Sequence, residues 1–174
     1  DIPALQATQV AWTPRDYAES YAKQGLADYR ELLDFCDMHN IPIGTARAIL
    51  GNVSPGGNGG VSSTMTARFN SGKWKITSRH HADRVVRMYY ALTGLRPYVQ
   101  GKYLISALFA ITLVEGIDDN RLMVNARRKP ELIKKYGSRD GYLEMLEAVY
   151  NYGARRSDPL KIAAENALRQ RSER

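Results

Sequence analysis

The chain of 174 residues has one cysteine, three histidines and no long apolar run. Each shortage removes a class of explanation. The single thiol, Cys36, cannot form an intrachain disulfide, and its place on an apolar helix face suits a reducing, cytoplasmic setting. The histidines, His39, His80 and His81, stand at no zinc-ligand spacing. His80 and His81 are neighbours, so on a helix their rings diverge by about 100° and do not share one metal. The longest apolar candidate, Tyr103–Val114, contains Ser106 and Thr112 and falls short of the roughly 18 residues of a membrane span. It reads as a buried helix, and no membrane partner is expected. No basic-then-apolar leader opens the chain. It begins at Asp1 in what reads as a connecting segment, so a longer protein with a missing N-terminal domain is expected.

What is present is an ordinary globular composition, 44% hydrophobic and 25% charged, with a net charge of +7 that is unevenly spread. Residues 1–67 carry −3, residues 68–102 carry +7, residues 103–120 carry −3 and residues 121–174 carry +6. Such asymmetry fits a surface facing a polyanion, and equally fits lysines and arginines that solvate amphipathic helices.

The hydrophobic spacing is helical along most of the chain. Thr13-Pro14-Arg15-Asp16 is a helix start: a hydroxyl cap, proline at the first turn and an acid beside it. That helix is expected to end near Gln24, before Gly25. A second is predicted over Ala27–His39 and a third over Ile43–Leu50, with Asn40 and Gly51 as stops. Asn52–Ser63, rich in glycine, reads as a loop or wing; with no following Gly-Lys-Ser/Thr it is not a phosphate loop. Phe69–Ile76 reads as a tight turn feeding a short strand. Thr77 or Ser78 should then cap a helix through about Thr93. Further helices are predicted at about Gly101–Glu115, Asp119–Asn125, Pro130–Tyr136, Arg139–Tyr152 and Pro159–Arg171. The expected fold is mainly α, a multi-helix domain with a helix-turn-helix-like segment and one short β-hairpin or wing. Residues 1–100 would form the helix-turn-helix-like part, and residues 101–174 a helical part packed on it as one unit.

The segment Glu31–Gly51 has the pattern of a helix-turn-helix, whose second helix can enter a major groove. On that pattern Gly44, Thr45 and Arg47 face the groove. Arg47 would read a guanine edge, and Thr45 would reach a phosphate or a thymine methyl. Any tight αα-hairpin shares the spacing, and four acids on the preceding helix disfavour a phosphate backbone. Arg68, Lys73, Lys75, Arg79, His80, Arg84 and Arg87 follow within one wing and two helical turns, where together they would neutralise several phosphates.

Catalytic patterns are thin. Ser78 beside His81 lacks a third orienting group and is better read as a cap. Asp118-Asp119 after Gly116 reads as a helix start rather than a metal pair. Trp12, Trp74 and the tyrosines raise base stacking, yet Tyr89, Tyr142 and Tyr150 lie on apolar stripes and read as core; Trp74 stays open. No metal, cofactor or catalytic residue is assigned.

Trp12–Tyr17, Gly25–Tyr29, Phe69–Ile76 and the run Tyr142–Tyr152 together resemble the region that follows the ParB/sulfiredoxin-like domain in phage and plasmid proteins. The resemblance implies a helical, DNA-associated companion to an upstream domain. It also implies DNA binding by helix-turn-helix, for which the matching stretch is Phe35–Leu50. The upstream domain's own motif is missing, so no nuclease or nucleotide-hydrolysing activity carries over. The expectation is therefore a non-catalytic module for duplex DNA. Its rivals are a helical scaffold or homodimer that docks an absent N-terminal domain, and a part of an enzyme that such a domain completes.

Overall fold

Thr13 and Asp16 start the first helix by exchanging hydrogen bonds. The Thr13 hydroxyl accepts the Asp16 amide at 3.2 Å, and the Asp16 carboxylate accepts the Thr13 amide at 2.8 Å. In the computed structural model, which describes residues 10–53 and 63–164, this helix, α1, spans Pro14–Lys23. Helix α2 (Ala27–His39) follows and ends at Asn40, which adopts the left-handed conformation at φ 50°, ψ 50°. The turn leads to α3 (Ile43–Leu50). Both helices occupy the predicted residues.

Helix α4 (Ser63–Asn70) is closed by a turn through Gly72, at φ +80°. The chain then runs extended to α5 (Arg79–Leu95), but no strand occurs among the described residues, so the expected β-hairpin is not found there. The donors such a hairpin would pair are used elsewhere. The Trp74 amide donates to the Tyr29 hydroxyl at 3.1 Å, and the Thr77 and Ser78 amides both donate to the Leu50 carbonyl. The remainder is α6 (Lys102–Ile111), α7 (Asp119–Arg128), a 3₁₀ turn at Pro130–Leu132 and α8 (Arg139–Tyr150). The helix expected over 130–136 shortens to that turn because Ile133 is buried and the Lys134 amide points to the Met145 sulfur. Residues 159–163 are not helical, and most of the expected last helix and of the Asn52–Ser63 stretch lies outside the described residues.

Helices α5 to α8 form an up-down-up-down bundle. The start of α5 meets the end of α6, where the His81 ring and the Thr112 hydroxyl lie 2.6 Å apart. It also meets the start of α7 through Arg84 and Asp119. The end of α5 meets the end of α7, with Arg96 Nε donating to the Pro130 carbonyl at 3.0 Å. Helix α8 runs back along α7, so its Tyr150 hydroxyl accepts the Asp118 amide. Eight consecutive side chains of α6, Leu104–Ile111, are buried, as the apolar run predicted. Helices α1–α4 pack on the outer side of α5 through α3. One buried cluster runs from Ala18 to Ala164 across both parts, so a boundary at residue 100 falls between two helices that pack together.

Candidate nucleic-acid interface

The short helix α3 presents little of itself to solvent. Thr45 is only 9% exposed and is packed with Ala46, Ala48, Ile49 and Leu50, leaving Gly44 exposed and Ile43 and Arg47 half-buried. Most of this helix packs inward, and Thr45, expected to face the groove, has little exposed surface among the described residues.

Arg47 is different. Its guanidinium carbon lies 4.7 Å from the centre of the Phe69 ring, and its Nε is buried without a hydrogen-bond partner among the described residues. Burial holds this guanidinium below its ordinary value, and the nearby Tyr29 opposes that only in part. Other arginines in the fold have acids: Arg15 has Glu19 and Asp37, Arg121 has Asp158, and Arg139 has Asp140. Arg47 has an aromatic face instead.

That face belongs to a fixed cluster. Phe69 and Trp74 stand edge-on at 5.7 Å, and each packs against Tyr29. The Tyr29 hydroxyl donates to the Phe69 carbonyl at 2.8 Å, and the Tyr21 hydroxyl donates to that of Asn70 at 2.6 Å. Trp74 is thus buried core and not a stacking platform. Arg68, Lys73 and Lys75 project from this same turn, all exposed; the Lys73 amide donates to the Arg68 carbonyl at 2.9 Å. Lys75 lies 3.9 Å from Asp28, but its side chain is 71% exposed, so that pair contributes little.

The α5 cations divide otherwise. Arg79 pairs with Glu31 and Asp83 and stacks on Phe35. Arg84 grips Asp119 with two bonds of 2.8 and 2.6 Å and also reaches the Thr112 carbonyl. Both charges are locally cancelled. His80 and Arg87 remain exposed on the ridge between them. The expected basic cluster therefore separates into Arg68, Lys73 and Lys75 around the Phe69 turn, with Arg47 of α3 against that ring, a neutralised pair, and an exposed ridge.

No group of three metal-ligating side chains occurs among the described residues. Asp118 caps α7, accepting the Asn120 and Arg121 amides, as its position predicted. Ser78 sits at the cap of α5 but its side chain makes no capping bond, which corrects the expected role; the Thr77 hydroxyl turns to the Leu50 carbonyl instead. A second basic region, at the end of the bundle where α5 and α7 finish, was signalled only by the +6 of residues 121–174. No family model matches the chain, and no curated protein or solved structure matches it either.

Proposed function

We propose that this chain is a non-catalytic module that binds duplex DNA, with Arg47 as its central contact and Arg68, Lys73 and Lys75 on the flanking phosphates. The observation that carries this reading is the half-buried Arg47 guanidinium, which has no acidic partner among the described residues although α2 alone bears Asp28, Glu31, Asp34 and Asp37. A desolvated cation without a counter-ion is unfavourable in the free protein and becomes favourable when an anion arrives. Stacking on Phe69 fixes the plane of the fork, which suits paired bonds to a phosphate or to a guanine edge. The buried α3 favours contact at the mouth of a groove and at the backbone over deep insertion, so positioning exceeds base reading. His80 and Arg87 extend the surface. Through its aromatic segments the module would accompany a ParB/sulfiredoxin-like domain of a phage or plasmid protein, inside the cell.

Fluorescence anisotropy on a labelled random duplex at two salt concentrations tests this reading. Lys73→Ala should weaken all sequences alike and lower the salt slope by about one. Duplex affinity unchanged by both Lys73→Ala and Arg47→Ala would sink it. A second reading, a docking scaffold, draws on the exposed Val10 and Trp12, which line an open cavity of about 700 Å³ with Ala11 and Tyr17. A homodimer that forms in sedimentation without any DNA affinity would favour it.

A further inference from the structure

The up-down-up-down path brings four helix ends together at the far end of the bundle. There α5 and α7 finish, and α6 and α8 begin. The Arg96–Pro130 bond joins the connection 96–103 to the segment 127–136. These two stretches contain seven lysines and arginines against one acid, Glu131. Arg127, Arg128 and Lys129 close α7, and Lys134 and Lys135 lie exposed just beyond the 3₁₀ turn. Among the described residues none of the seven has an ion-pair partner, whereas Arg79, Arg84 and Arg121 at the other end of the bundle are all paired.

Aromatic rings are set among these charges. Tyr98, Tyr103 and Tyr136 are 53, 37 and 39% exposed. Arg96 lies over the Tyr98 ring at 5.8 Å, and Lys102 lies over that of Tyr103 at 5.3 Å. Cations alone would serve any anionic surface. Cations holding exposed rings beside them fit a partner that offers phosphates and flat bases at once, with the bases unpaired. We infer that this end of the bundle binds single-stranded nucleic acid, lysines and arginines along the phosphates and Tyr98 as a stacking platform. The inference rests on residues separate from the Arg47 turn and holds whether or not that turn binds duplex.

The test is anisotropy of the full chain with a labelled oligothymidine, alongside a random duplex, polyglutamate and phosphatidylserine vesicles, each at two salt concentrations. The oligothymidine should bind most tightly of the four to the bundle end. Lys134→Glu with Lys135→Glu should lower its affinity about tenfold and reduce its salt slope by about 1.4, two single-strand phosphate contacts. Tyr98→Ala should weaken the oligothymidine about fivefold and leave the duplex unaffected. Arg47→Ala should leave oligothymidine affinity at the parent value, so a failed duplex reading would not be mistaken for failure here. All three substitutions at the bundle end are on exposed side chains, and an unchanged helical circular-dichroism signal confirms folding. The inference is overturned if oligothymidine does not bind, if neither variant alters its binding, or if polyglutamate or the vesicles compete equally well.

Discussion

The Tyr29 hydroxyl accepts the Trp74 amide at 3.1 Å while donating to the Phe69 carbonyl, so one side chain of α2 holds both ends of the turn that presents Arg47's aromatic support. Tyr29→Phe keeps the ring and strands the buried Trp74 amide, while the Phe69 carbonyl keeps the Gly72 amide as a donor. The expected cost is about 1–3 kcal/mol. Urea unfolding followed by circular dichroism measures it, and a loss under about 0.5 kcal/mol would mean the turn is held by packing alone.

Arg47 should separate function from stability. Arg47→Met retains most of the apolar contact with Phe69 and removes a desolvated charge, so thermal stability should hold or rise. Duplex affinity should fall about tenfold, the scale of one good paired contact. A variant that melts well below the parent would instead make Arg47 a structural residue.

Arg84 should behave in the opposite way. Its bidentate pair with Asp119 lies between side chains that are 22 and 26% exposed. Arg84→Met should cost about 2 kcal/mol of stability. Duplex affinity should stay within twofold, because the charge is already satisfied inside the protein. A large loss of binding with stability intact would return Arg84 to the contact surface.

His39 supplies a pH dependence. Burial lowers its value below the ordinary 6.5, with Asp83 opposing and Arg79 adding to the effect, while Phe35 packs on the ring at 4.6 Å. The folded chain therefore holds this proton less tightly than the unfolded chain. Its contribution is complete above the unfolded value and is lost as pH falls through the lower folded value. Urea midpoints between pH 8 and 5 should drop more for the parent than for His39→Gln. Parallel curves would assign the acid sensitivity to other groups.

Local punctuation made the helices legible. Asn40 and Gly51 bracket α3, Thr13 and Asp118 announce their helices by capping chemistry, and the run through Leu104–Ile111 is apolar enough to require burial. The site was less legible because its decisive partners are distant in sequence. Arg79 looks free until Glu31, 48 positions away, pairs with it, and Arg84 until Asp119, 35 positions away, does the same. Trp74 stays open as a stacking ring until Tyr29, 45 positions earlier, packs edge-on against it and accepts its amide. The sequence pattern grouped Arg68, Lys73 and Lys75 around one turn, but not Arg47 against the Phe69 ring, a contact between helices. It could not show that Thr45 turns inward, since a threonine suits either face of a short helix.

Helix α5 is a rigid spacer. Its 17 residues at about 1.5 Å each span roughly 25 Å, from the end of the bundle that carries Arg79 and Arg84 to the tyrosine-bearing end. That separation corresponds to about seven base-pair steps of duplex at 3.4 Å each. If both proposed contacts hold, a nucleic acid that engages the two ends of α5 at once must be at least that long.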